Sequence, residues 1–162
     1  MLLYLSSNMR VDIAHAVSQI AWFGADPRKS HAKAVKQILW YLKGTADKGT
    51  IFKPGADFGL DLYVDADYCG LFKQEDDRDP MSAKSRTGYV IQLSGCPIIW
   101  KSTLQKPVSQ STLEAECVAP SDSLKVFLPI RCLLEEMIQE TKCEALQGAT
   151  IRATDGHNSD GR

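Results

Sequence analysis

Three acidic side chains in this 162-residue chain stand where chemistry could be done. Asp65 closes the run Leu60-Asp61-Leu62-Tyr63-Val64-Asp65, whose alternation reads as a half-buried strand with Leu60, Leu62 and Val64 on one face. Glu116 falls in the first turns of a helix that opens on a Ser111/Glu114 capping box. Asp155 ends a short strand over residues 150–154. If the two strands are neighbours and the helix crosses them, the three carboxylates converge. Crowded anions raise one another's pKa, and hard divalent cations such as Mg²⁺ relieve the strain with oxygen ligands. A pair of such ions activates a water and stabilises the leaving oxygen in phosphodiester hydrolysis. The competing reading makes Asp65 and Asp67 plain turn residues at a strand end.

The elements that must position these residues follow in order. Ile13, Val17, Ile20 and Ala21 recur at helical spacing over residues 10–23, with Asp12 in the first turn. Asp26-Pro27 or Ser30 starts a second helix, striped with Val35, Ile38, Leu39 and Leu42 and ended by Gly44 as a C-cap. Together they make a helical hairpin. The second helix also carries Lys33, Lys36 and Lys43, either a solvated face or a grip on phosphates. Residues 50–53 read as a short strand closed by Pro54-Gly55, and Gln74 to Pro80 as an acidic loop. Residues 86–93 and 97–101 form a hairpin turned by Ser94-Gly95-Cys96. After the helix that carries Glu116, a second helical stretch runs from Leu124 to Met137, and residues 140–148 read as a loop. Helices, strands, helix and strand in that order give an α+β, mixed α/β class.

The totals narrow the function classes. Hydrophobic residues make up 44%, enough for a packed core, and a net charge of −1 excludes a dispersed polyanion binder but not a local basic face. Five scattered cysteines without a Cys-x-x-Cys pair point to reduced thiols in an intracellular protein, in cytoplasm or nucleus. No run is long and apolar enough to span a bilayer. Asp12-x-x-His15 reads as surface decoration. The tail Asp155-Gly156-His157-Asn158-Ser159-Asp160 fails as a Ca²⁺ loop, since its glycine is out of register and no twelfth-position Glu exists.

Several motifs in sequence share one pattern. Tyr4-Leu5 with Arg10-Val11-Asp12-Ile13, Trp40-Tyr41-Leu42-Lys43-Gly44-Thr45 and Tyr63-Val64-Asp65-Ala66-Asp67-Tyr68 come first. Lys84-Ser85-Arg86-Thr87-Gly88-Tyr89-Val90, Ile99-Trp100-Lys101-Ser102 and Ser111-Thr112-Leu113-Glu114-Ala115-Glu116 follow. Taken together the chain resembles the C-terminal part of a copia-type retrotransposon polyprotein, from the end of the reverse transcriptase into its RNase H domain. The resemblance implies a thumb-like helical hairpin over residues 1–49 and an RNase H-like mixed sheet with packed helices over 50–162, incomplete at the C-terminus. It implies Mg²⁺ in a two-metal site on Asp65, Glu116 and Asp155, with Glu114 as the rival of Glu116. The substrate would be an RNA–DNA hybrid or other nucleic acid, held by the basic helix with Lys84, Arg86, Lys101 and Lys106. The rest of the retroelement polyprotein would be a further partner.

The pattern also has gaps. The family's fourth carboxylate lies further along than this chain reaches, and the polymerase's paired-aspartate motif does not occur. His157 stands earlier than the family's loop histidine and reads as a tail residue. Pro120, four residues after Glu116, removes a helical hydrogen bond at a cost of about 3 kcal/mol and predicts a helix end or kink. Two functions follow: metal-dependent hydrolysis of RNA in hybrids, or a catalytically dead remnant that at most binds nucleic acid. Either way the chain alone is expected to be weak or inactive as a nuclease.

Overall fold

Residues 59–67 form the strand on which the sheet is built. The structure, a computed structural model, describes residues 1–55, 58–71, 80–141 and 150–155. Strand β1 (Gly59–Asp67) pairs antiparallel with β2 (Arg86–Leu93), and β2 pairs antiparallel with β3 (Cys96–Leu104). Strand β4 (Thr150–Asp155) joins the other edge of β1 in parallel, giving the order β3-β2-β1-β4. A parallel neighbour needs a crossover. Helix α4 (Thr112–Thr141) lies in that connection and packs on the sheet. The class is therefore mixed α/β, as the element order predicts.

Burial along β1 follows the alternation of its sequence. Leu60 and Leu62 are buried with Tyr89 and Ile91 of β2 beneath Phe127 of α4, and Leu124, Ile130 and Leu134 complete the cluster. Asp61, Tyr63 and Asp65 fall on the second face by the two-residue period. Ser94 and Gly95 turn β2 into β3 with φ of 51° and 78°, the pair of positive angles that suits a twisted two-residue hairpin. Pro97, which lacks an N–H, stands beside the register shift at Ile91/Gln92, where its missing bond costs least.

Helix α4 corrects the expectation of a break at Pro120. It runs unbroken for 30 residues with Pro120 and Pro129 inside. Its inner ridge of Ala115, Ala119, Ser123 and Phe127 is buried on the sheet, and this tertiary contact outweighs a local loss of about 3 kcal/mol per proline. The Ser123 hydroxyl donates to the Ala119 carbonyl at 2.7 Å. At its start Ser111 Oγ accepts from the Glu114 N–H at 3.2 Å, as the capping pattern predicts. Glu114 in turn accepts from the Gln110 N–H at 2.7 Å, one residue before the expected partner.

Gln105, 2% exposed, fixes how α4 leaves the sheet. Its amide donates to Thr87 Oγ1 at 3.1 Å and to the Ala115 carbonyl at 2.9 Å, and accepts from Ser109 Oγ at 3.1 Å. Thr87 pairs with Ala66, the residue after Asp65. One amide thus ties the first turn of α4 to β2, in the row beside Ala66 of β1.

The N-terminal helices differ in detail from the expected hairpin. A helix absent from the sequence reading, α1 (Leu2–Asn8), precedes a 3-10 turn at Val11–Ile13 and α2 (Ala14–Trp22). Helix α3 covers Lys29–Gly44, so Pro27 stands before the N-cap Arg28 rather than at the first helical position. His31 closes this end by accepting from the Arg28 N–H at 3.1 Å and stacking on Phe23 at 4.2 Å. Thr45, not Gly44, is the C-cap, at φ −129°. Ile13, Val17 and Ile38 form the core of this layer. The expected strand at 50–53 is not formed: Ile51 and Phe52 are exposed, and the stretch contributes to no ladder. Just after it, the Gly55 N–H donates to the Ser94 carbonyl at 2.8 Å, a tie to the sheet. The acidic segment 74–79, the segment 142–149 and the tail from Gly156, including His157, lie outside the described residues.

Asp12 is more than surface decoration. Arg10 donates to it through Nε at 3.0 Å and Nη2 at 2.7 Å, and the Tyr41 hydroxyl donates at 2.7 Å. Arg10 also reaches the Thr45 and Lys48 carbonyls, clasping the end of α3. The bonds from Arg10 pull the Asp12 pKa down to about 2 from 3.8, helped by Tyr41 and opposed by partial burial. A folded pKa below the unfolded one gives stability that is complete above about pH 4 and lost as pH falls through about 2.

Two measurements check these contacts. Between those pH values the wild type should lose about 1 kcal/mol more than Asp12→Asn, a figure reduced for solvent screening; parallel stability curves would contradict the clasp. Gln105→Leu, which strands buried partners, should lower stability by about 2 kcal/mol in urea unfolding. An unshifted midpoint would show that the amide does not brace α4.

Candidate functional site

Register assigns the second face of the sheet row by row. Tyr63 pairs with Val90, which pairs with Trp100; Asp65 with Gly88, which pairs with Ser102; Asp67 with Arg86, which pairs with Leu104. Asp65 is exposed, and its cross-strand neighbour Gly88 has no side chain to cover it. On the other edge of β1, Asp155 of β4 pairs in parallel with Val64, one residue short of Asp65. The backbone therefore brings these two acidic positions to the same end of adjacent strands, in neighbouring rows that face opposite sides of the sheet. The Asp155 side chain is outside the described residues.

The third predicted carboxylate sits in the second turn of α4. Glu116 is exposed and makes no hydrogen bond or ion pair among the described residues. Glu114 accepts from the Gln110 N–H, and its charge reaches Tyr68 just after β1. The Tyr68 hydroxyl is pushed up by burial first, then by Cys69 and Glu114. Among the described residues no three His, Cys, Asp or Glu side chains form a metal-holding group. Gly70 lets the turn close over Asp67, because a Cβ there would run into the Asp67 carboxylate.

The predicted cations divide into two kinds. Lys33, Lys36, Lys43 and Lys101 are exposed, and Lys84 is half-buried. Arg86 is 4% exposed and serves the interior. Its Nη1 donates to Ser18 Oγ at 2.9 Å and Ser102 Oγ at 3.4 Å, while Ser18 donates to the Ser102 carbonyl at 2.6 Å. Trp100 Nε1 donates to the Ser6 carbonyl at 2.6 Å. These contacts seat α1 and α2 on the second face of the sheet. Burial lowers the Arg86 pKa against the opposing pull of Asp67, and burial and the Arg86 charge hold His15 below the ordinary imidazole value. A cleft of about 380 Å³ lies in the same seam, lined in part by Ser6, Ser18, Trp22, Trp100 and Lys101. Gln105 and the Arg10 clasp escaped the sequence reading. A buried Gln between Leu104 and Lys106 carries no periodic signal, and Arg10 is legible only as part of a motif.

No protein-family model and no solved structure match the chain. Among the described residues no helix is long and apolar enough to cross a membrane. Curated relatives do match. The chain is 40% identical over 136 residues to the retrovirus-related Pol polyprotein from transposon TNT 1-94 of Nicotiana tabacum, covering 84% of this chain and 10% of that one. It is 36% identical over 128 residues to the corresponding polyprotein from transposon RE1 of Arabidopsis thaliana, covering 79% and 8%. It is also similar to the secreted RxLR effector protein 161 of Plasmopara viticola, 33% identical over 132 residues, covering 80% of this chain and 87% of that protein. The chain thus spans about a tenth of the length of the plant polyproteins it matches. With the motifs on both sides of Asp65 inside so broad a match, the chain is homologous to a segment of the retrovirus-related Pol polyproteins of plant transposons.

Proposed function

We propose that this segment is the RNase H-type part of such a polyprotein and that its reaction is metal-dependent hydrolysis of the RNA strand in an RNA–DNA hybrid. The observation that carries the reading is the parallel pairing of β4 with β1, which sets Asp155 in the row of Val64, one row before Asp65 at the same strand end. Both are hard oxygen donors, and Asp65 is exposed with Gly88 beside it, so the donor set suits Mg²⁺ or Mn²⁺. Asp65 would hold the ion beyond the end of β1. There Asp155, in the adjacent row of Val64, and Glu116, from α4 on the opposite face, would have to reach around the strand end to complete the set. A divalent cation held there would supply a water acidified toward hydroxide and would offset charge on the scissile phosphate. The protein's own part is positional: Gln105 ties the start of α4 to β2, in the row beside Ala66 of β1. Glu114 already spends an oxygen on the Gln110 N–H, which favours Glu116 as the ligand. The exposed lysines Lys33, Lys36, Lys43 and Lys101, with Lys84, would hold nucleic-acid phosphates, Lys84 and Lys101 those of the hybrid, and the remainder of the polyprotein would complete the substrate grip.

The second reading is a nucleic-acid-binding segment without catalysis. The split between faces favours it: Asp65 lies on the face away from α4, the helix that carries Glu116.

One assay separates the two. A labelled RNA–DNA hybrid with Mn²⁺ should be cleaved slowly, and Asp65→Asn, Asp155→Asn and Glu116→Gln should each slow it by about 100-fold, the scale of losing one preorganised electrostatic contact. Glu114→Gln should retain most activity. Cleavage indifferent to Asp65→Asn would refute the site, and hybrid binding without cleavage would establish the second reading.

A further inference from the structure

Helix α3 has a feature that folding does not account for. Its 16 residues include four lysines and no acidic residue. At about 100° per residue, Lys29, Lys33, Lys36 and Lys43 fall within roughly 80° of one another. Their common direction is opposite the buried His31 and Ile38. Lys29 also stands in the first turn, where the helix dipole disfavours a cation. Lysines three and four apart on one face repel each other, a cost usually relieved by interleaved Glu. No described ion pair relieves it here. In the middle of this stripe, one turn from Lys36 and Lys43, stands Trp40, 71% exposed. An indole so placed adds nothing to the core.

The geometry points to α3 as a rail for single-stranded nucleic acid, its lysines tracking successive phosphates over about 20 Å and Trp40 stacking on an unpaired base. Charge complementarity selects a polyanion, and the indole selects among polyanions. A duplex keeps its bases stacked on each other and offers an outward-facing Trp little but sugar and phosphate. A single strand offers free base faces, and stacking on them is tolerant of sequence. This rests on the nucleic-acid reading above but not on its metal chemistry. It predicts that the chain grips an unpaired stretch with α3 at a place separate from the Asp65 end of β1.

The test uses the full chain in EDTA, so that a failure of metal-dependent cleavage leaves the result untouched. Fluorescein-labelled oligo(dT) and an RNA–DNA hybrid of equal length are titrated by fluorescence anisotropy between about 50 and 200 mM salt. The wild type should bind oligo(dT) more tightly than the hybrid. Trp40→Ala should weaken oligo(dT) binding roughly 5- to 100-fold with the salt slope unchanged, and Trp40→Phe should restore most of it. Replacing Lys33, Lys36 and Lys43 together with Gln should lower the slope by about two. All these positions are exposed, and circular dichroism of each variant verifies the fold. Oligo(dT) binding indifferent to Trp40→Ala would overturn the proposal, as would tighter binding of the hybrid.

Discussion

The period-two alternation of β1 is the constraint on which the rest depends. Leu60 and Leu62 are buried against Phe127, and that fixes Asp65 on the second face. A slip of one residue would drive Asp61, Tyr63 and Asp65 into the core and expel both leucines, an exchange the structure cannot bear. Because β1 is flanked on both edges, the same register sets Gly88 beside Asp65 on one edge and Asp155 beside Val64, one row earlier, on the other. The position of a candidate ligand is thus secured by hydrophobic burial on the opposite face. That is an inexpensive way to hold a carboxylate still, because no bond to the carboxylate itself is needed.

The two faces of the sheet are closed by different physics. On the α4 side the contact is apolar, with Ala115 and Ala119 small enough to bring the helix close and Phe127 filling the space beyond. On the other side α1 and α2 rest on polar contacts through Ser18, Ser102, Trp100 and the buried Arg86. Nη2 of Arg86 has no hydrogen-bond partner among the described residues. A buried guanidinium with part of its donors unspent specifies a seam more than it strengthens one. The N-terminal helices are thereby oriented against the strand end that carries Asp67, while the Arg10–Asp12–Tyr41 clasp fixes α3 to them.

Much of this was legible in the sequence, for identifiable reasons. The alternation at 60–65, the glycine in the β2–β3 turn and the Ser111/Glu114 cap are local signals with local causes, and each appears in the structure. The misreadings came where tertiary contact overrides local preference. Pro120 should have ended a helix, yet the buried ridge from Ala115 to Phe127 carries α4 through it. Residues 50–53 have strand-like composition but join no ladder among the described residues. Arg86 looked like a phosphate contact because charge usually means surface, and only the packing of α2 against β3 reveals its partners. The acidic positions of the site were readable as strand ends; their adjacency was not, since a parallel crossover leaves no mark in local sequence.

The proposed chemistry therefore centres on one carboxylate, Asp65, held by register near the end of a strand flanked on both edges. Its most direct test is Mn²⁺ binding followed by electron paramagnetic resonance, comparing the wild type with Asp65→Asn and with Asp61→Asn, a carboxylate on the same face further from the strand end. The account predicts saturable binding that Asp65→Asn weakens by about tenfold or more and that Asp61→Asn leaves unchanged. Equal Mn²⁺ affinity in the wild type and Asp65→Asn would contradict it.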